Sequence, residues 1–256
     1  MALITTFIPH EPNTWPHDLL LCFDEGQETL IERKKLKNND YDKIMVSNEK
    51  LDLLISEIGK IASKYSLIGY HCTKLIPQEI EDIYKNGLQL LSYDFLCNRI
   101  EKITELGIID KEIGKLLQNE NEAKEEYRAN HIWFTFFRPK IAGMHGISRF
   151  FKYWGGEALY NTHEHNGTGQ LLQRIGIPCV VEAQIPIEYI EVSSFSLHLL
   201  DIYKGEHGIS AKNLREFEGY SRNPIPPKLI LNVFQFPSAE FVELTGCEVW
   251  RDKIVI

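Results

Sequence analysis

The chain is poor in cysteine, in long apolar runs and in positive charge, and each shortage narrows its class. Its five cysteines (Cys22, Cys72, Cys97, Cys179 and Cys247) are scattered and form no CxxC pair. Neither a disulfide framework nor a zinc ribbon is suggested, and a reducing, cytoplasmic compartment is expected. No run of about 18 apolar residues is present, which excludes a spanning helix and argues against a membrane partner. The first twenty residues lack a basic start, a long apolar middle and a small-residue cleavage site, so no secretory signal is expected there. Lys and Arg number 28 against 36 Asp and Glu, a formal charge of −8. That deficit argues against a broad non-specific nucleic-acid surface, although a local basic groove stays open. HExxH, GxSxG, GxxxxGK[ST] and GxGxxG are all missing, which weighs against zincin, α/β-hydrolase, P-loop and Rossmann assignments.

The chain has enough apolar residues, 43% against 25% charged, to bury a substantial core. Residues 1–48 read as an irregular or partly helical extension, because Pro9, Pro12 and Pro16 break any early helix and 32–43 is charged and Asn-rich. Leu51, Leu54, Ile55, Ile58 and Ile61 predict an amphipathic helix from Glu49 to about Ser63. Ser66–Cys72 reads as a buried strand. A helix follows from Pro77, with acidic residues in its first turns and a stop at Asn86-Gly87. Residues 93–127 are mostly helical by pattern, with breaks near Gly107 and Gly114; from Glu101 to Glu126 they carry eight acidic and four basic residues. The second half adds an aromatic strand at His131–Phe137, a helix over Ile141–Trp154 closed by Gly155-Gly156, and strands at Pro178–Ile185 and Lys228–Phe236. An edge hairpin or terminal strand is expected at Cys247–Ile256. Irregular spacing of strands and helices predicts a mixed α+β domain over 49–256.

Four places carry candidate chemistry. His71, in Gly69-Tyr70-His71-Cys72-Thr73, leaves a strand where its ring can enter a cleft; a structural histidine and a ligand contact are both open readings. Trp133, Phe134, Phe136 and Phe137 form either a core strand or an aromatic wall that stacks on a planar ring. Glu157 follows two glycines between aromatic residues, where a lone carboxylate needs a partner or a task; Arg128 and Arg149 are candidate partners. Glu216 and Glu218 share one strand face, as solvated edge residues or as a working carboxylate pair. His163-Glu164-His165 has the HxH spacing, but no third ligand follows at a familiar distance, and no metal is assigned.

In order along the chain, three of these segments resemble the motifs of the ADP-ribosyltransferase superfamily. Tyr70-His71-Cys72-Thr73, with a helix and Gly87-Leu88 after it, resembles the first motif. The aromatic strand with its following helix is similar to the second, and Pro224-Ile225-Pro226-Pro227-Lys228-Leu229-Ile230 resembles the strand entry that follows the catalytic glutamate in the third. Trp133-Phe134-Thr135-Phe136 stands where the superfamily has a Tyr or Ser-Thr-Ser. The resemblance implies a split two-sheet fold gripping NAD, with residues 1–48 as an additional N-terminal region and about 93–127 as a helical insertion. It implies that Tyr70, His71 and Thr73 contact NAD, His71 through the adenosine-side ribose, and that Trp133, Phe134 or Tyr153 stacks on nicotinamide. Glu216 or Glu218, with Glu157 as the alternative, would stabilise the oxocarbenium-like transition state as nicotinamide leaves. NAD would be the substrate, and a protein or nucleic acid the acceptor. A toxin or phage-defence role, with a cognate inhibitor or antitoxin, is the biological setting implied. An NAD-binding sensor, an NAD hydrolase and a non-catalytic interaction module on the same fold are the alternatives.

Overall fold

Proline and glycine set the boundaries of the first elements. A computed structural model of the chain describes residues 5–36, 41–191, 195–210 and 217–254. β1 (Thr6–Phe7) is followed by a proline-rich turn, and α1 (His17–Lys35) begins directly after Pro16, ending on Arg33, Lys34 and Lys35, whose charges suit a helix C-terminus. Next come α2 (Tyr41–Ala62), β2 (Ser66–Leu75) and α3 (Pro77–Asn86). Pro77 occupies the first turn of α3, and Gly87 ends it at φ 76°, where any side chain would run into the Ile225 carbonyl. Ser92 caps α4 (Tyr93–Glu105) and Asp110 caps α5 (Lys111–Asn119), each accepting a backbone N–H three residues on. The chain continues through β3 (Ile132–Thr135), α6 (Gly143–Lys152), α7 (Glu157–His163), α8 (Gly167–Arg174), β4 (Ile177–Pro186) and β5 (Ile190–Glu191). It ends with α9 (Phe195–Glu206), β6 (Glu218–Ser221), β7 (Ile230–Gln235) and α10 (Ala239–Thr245).

The fold is α+β and divides into two compact units. The first comprises Met1–Ile68 and Ile185–Phe217. Here α1 packs on α2 and both pack on α9, while β1 runs parallel to the start of β2. Phe23 stacks on Tyr203 at 4.8 Å, and the Tyr203 hydroxyl donates to Asp24 at 2.9 Å. The second unit comprises Gly69–Gln184 and Glu218–Ile256. Its strands lie in the order β6-β3-β2-β4-β7. β3 pairs with β6, and β4 with β7, through antiparallel ladders of four and five residue pairs. β2 meets β3 through a single pair, Tyr70 opposite Thr135. Two separate small sheets were expected; the strands instead share one hydrogen-bonded path with a narrow seam at that pair.

One buried cluster of the second unit is built mainly from its helices. Leu96, Ile100 and Ile103 of α4, Leu117 of α5, Leu159 of α7 and Leu172 of α8 close around Trp154. The segment expected as a helical insertion thus supplies part of the central core. Glu79, 8% exposed, ties it together: its Oε2 accepts the Ile76 amide at 2.8 Å and Trp154 Nε1 at 3.0 Å, and its Oε1 accepts Arg99 Nε at 2.6 Å.

Three expectations change. The boundary expected between 48 and 49 falls inside α2, and the region before it holds α1, whose buried Leu19, Cys22, Phe23 and Leu30 recur at helical spacing once Pro16 is passed. Gly114 lies within α5 against Thr104, so only Gly107 marks a break. Cys247–Val249 forms a 3-10 turn and no strand follows to Ile254, because Gly246 turns left-handed at φ 64° and sends Trp250 into the core beside Phe151. Residues 255 and 256 of that expected strand lie outside the described residues.

Replacing Glu79 with Ala strands a guanidinium, an indole N–H and a backbone amide together. It should cost about 3–5 kcal/mol, and Trp154→Phe added to it should cost less than it does alone. Urea denaturation of the single and double variants measures both; a change in Glu79→Ala below about 0.5 kcal/mol would remove its assigned role. Lys74, next to last in β2, tests burial. It is 1% exposed, donates Nζ to the Gln173 carbonyl at the end of α8, and is pulled down by burial to about 8. Folding disfavours its charged form, so between about pH 8 and 10.5 the unfolded chain binds the extra proton and stability rises with pH. Wild type minus Lys74→Met should therefore climb across that window, by at most about 1.4 kcal/mol per pH unit. The buried cysteines titrate alike in both proteins and cancel; a flat difference would refute the shift.

Candidate functional site

Where β2 parts from β3, the second unit opens a cleft of about 660 Å³. A cleft of this size, apolar with a few convergent polar groups, is of the kind that holds small ligands. Its walls come from the ends of β2, β3 and β6, from α3 and α4, and from the Gly155-Gly156 turn that opens α7.

His71 bridges the seam. Its Nδ1 lies 2.9 Å from the Trp133 carbonyl, and its ring meets Phe134 edge-on at 6.0 Å. Burial holds the imidazole below its usual 6.5; the Trp133 carbonyl pulls the other way and nearby Arg99 pushes further down. The neutral ring therefore donates Nδ1–H to the carbonyl and keeps a lone pair on Nε2, a hydrogen-bond acceptor. Tyr70 and Thr73 line the same cleft, Tyr70 as a buried ring.

The β3–β6 ladder sets the next residues. Phe134 and Ile132 face the core, at 2% and 4% exposed, while Trp133 on the alternate face is 43% exposed. Thr135 lies opposite Glu218, and Trp133 opposite Tyr220. Trp133 contacts the Tyr220 ring at 4.9 Å, and His131 stacks on Tyr220 at 4.0 Å. The aromatic wall is therefore split: Phe134 belongs mainly to the core and Trp133 is its open member. Glu218 is exposed, lines the cleft, and lies near enough to Cys72 to add to the upward push that burial gives that thiol. Glu216, the other half of the expected carboxylate pair, lies outside the described residues.

Glu157 has a structural partner. Arg128, its side chain 7% exposed, forms ion pairs with Glu122 at 2.7 Å and with Glu157 at 3.5 Å, and the Tyr160 hydroxyl donates to Glu157 at 3.1 Å. Arg149 pairs instead with Glu164 at 2.7 Å. Tyr153 is not among the residues that line the cleft. It is 4% exposed within the core cluster and packs against Tyr160 at 5.7 Å, because α6 turns that face inward before the Gly155-Gly156 reversal. His163 uses both ring nitrogens, on the Thr168 hydroxyl and the Glu120 carbonyl, and has none left for a metal.

Sequence reasoning missed Arg99, Lys102 and His131 as cleft residues. Arg99 and Lys102 lie one turn apart on α4, which the resemblance treats as an insertion, so no motif points to them. His131 opens the aromatic strand, and its alternation with Trp133 was the available signal.

Comparison with family models, curated proteins and solved structures finds no match to this chain. Among the described residues, no helix is long and apolar enough to cross a membrane.

His71 carries a pH signature. Its folded form favours the neutral ring, so as pH falls below about 6.5 the unfolded chain takes up the proton first and stability drops. Between pH 7.5 and 5.5, wild type should lose more thermal stability than His71→Gln, which keeps a donor for the Trp133 carbonyl. Equal losses would show that the ring is not held neutral by its surroundings.

Proposed function

We propose that this chain is an NAD-dependent ADP-ribosyltransferase that moves ADP-ribose to a macromolecular acceptor, protein or nucleic acid, and releases nicotinamide. The observation that carries the reading is that one residue from each of three candidate places lines a common cleft. His71 on β2, Trp133 on β3 and Glu218 on β6 come from adjacent strands and line one cleft. In this reading the His71 Nε2 lone pair accepts from the hydroxyl of the adenosine-side ribose, and the open face of Trp133 stacks on nicotinamide. The Glu218 carboxylate holds the 2′-hydroxyl of the other ribose. As the C1′–N bond breaks, the electron pair leaves with nicotinamide, positive charge grows on the sugar, and the carboxylate opposes it. The acceptor's nucleophile then forms the new bond at C1′ and gives up its proton. Glu218 is preferred to Glu157 because it precedes Pro224-Ile225-Pro226-Pro227, where the resemblance has its catalytic glutamate.

The test is incubation with radiolabelled NAD and cell lysate, reading nicotinamide release and label in protein and nucleic acid. Wild type should do both. Glu218→Gln should lower the rate about 10²–10³-fold, a typical cost for losing one group that stabilises transition-state charge. Glu157→Gln should lower the melting temperature more than the rate of the folded fraction. Nicotinamide release without transfer of label would point to a hydrolase. A folded wild type that releases no nicotinamide would defeat the proposal.

A further inference from the structure

Among the described residues three cations line the cleft, and they differ in how many carboxylates stand against them. Arg128 is engaged by two carboxylates, Glu122 and Glu157. Lys102 is bound to Asp82 at 2.7 Å, and both side chains are well exposed. Arg99 differs. Its Nε is given to Glu79 at 2.6 Å, while its Nη2 is buried with no acceptor. Glu79 balances its charge, but that carboxylate also accepts the Ile76 amide and the Trp154 indole, and Nη2 is left outside the pairing. The guanidinium is also held in place, with Trp154 at 4.7 Å and Phe95 at 5.9 Å from it. It is a fixed cation on a cleft wall with an uncommitted terminal donor, the form that recognises phosphate oxygens. It also lies near His71, whose protonation its field opposes.

We propose that Arg99 binds the diphosphate of a nucleotide in this cleft, its terminal guanidinium nitrogens donating to the anionic oxygens while Nε stays on Glu79. The inference rests on the NAD reading and adds to it a residue outside the three motif segments. It makes α4 part of the binding site, with Lys102 one turn further on as a weaker, more solvated cation.

Calorimetric titration of adenosine diphosphate and of adenosine into wild type, Arg99→Gln and Arg99→Lys tests it, with melting curves to establish that each variant is folded. Wild type should bind the diphosphate more tightly than adenosine, by a margin that shrinks as salt is raised. Arg99→Gln should weaken the diphosphate about 10- to 100-fold, the range spanned by charge-assisted hydrogen bonds, and leave adenosine unchanged. Should Arg99→Gln fail to fold, Arg99→Lys decides, because it keeps a cation beside Glu79 and loses the fork. Unchanged diphosphate affinity in a folded variant, equal losses for both ligands, or a wild type that binds neither would overturn the proposal. Nicotinamide release from NAD separates the two readings. A wild type that binds the diphosphate through Arg99 but releases no nicotinamide sinks the transferase and keeps Arg99. Release with an unchanged KM in a folded Arg99 variant does the reverse.

Discussion

A single buried carboxylate, Glu79, joins the second unit's core to its cleft. It belongs to the first turn of α3, where its Oε2 completes the helix start by accepting the Ile76 amide. The same oxygen fixes the Trp154 indole, around which α4, α5, α7 and α8 close, and its other oxygen fixes Arg99 on α4. Three donors on one carboxylate satisfy the requirement that a buried charge be paired and hydrogen-bonded. Because the pairing is shared, the start of a helix, the packing of a core and the orientation of a cleft cation cannot vary independently. Arg99 lies 4.7 Å from the Trp154 ring, so the indole both fills the core and packs against the guanidinium.

The cleft follows from where the sheet stops being a ladder. β3 holds β6 through four residue pairs, but holds β2 through one. Past Tyr70 the backbone of β2 no longer has β3 as a paired neighbour, and a side chain takes over: His71 reaches the Trp133 carbonyl. Backbone polar groups need partners, and one supplied by an imidazole leaves room where a further strand pair would have closed the gap. The same contact fixes the tautomer of His71, so the element that opens the cleft also determines which ring nitrogen can accept a hydrogen bond.

What the sequence disclosed was local. Pro77 and Asn86-Gly87 bracket α3 as their backbone preferences require, β7 lies within the apolar run that suggested it, and β2 starts with its run but extends three residues past Cys72. The alternation of 132–135 carried real information, with Ile132 and Phe134 inward and Trp133 outward, but the run of aromatics hid which members were open. Helix α1 was lost behind three prolines that end just before it. The Glu79 arrangement was out of reach, because its partners stand 20 and 75 residues away and none has a spacing that announces the others. Glu157 lies between: its need for a partner was visible, and Arg128 was one of two arginines the chain offered, but choosing between them required the fold.

Net charge misleads about the cleft. The chain carries −8, yet the cations on the cleft wall were placed against carboxylates one by one, Lys102 with Asp82, Arg128 with Glu122 and Glu157, and Arg99 with Glu79. A ligand entering the cleft meets these local pairings and not the total, since charges beyond about a Debye length, roughly 8 Å in physiological salt, are screened. What distinguishes one cation from another there is how many carboxylates stand against it. Arg128 is claimed by two carboxylates, whereas Arg99 shares one carboxylate with two other donors. In the proposed reading, an acidic protein keeps a site for an anion by setting fewer carboxylates against one cation, without any excess of lysine and arginine.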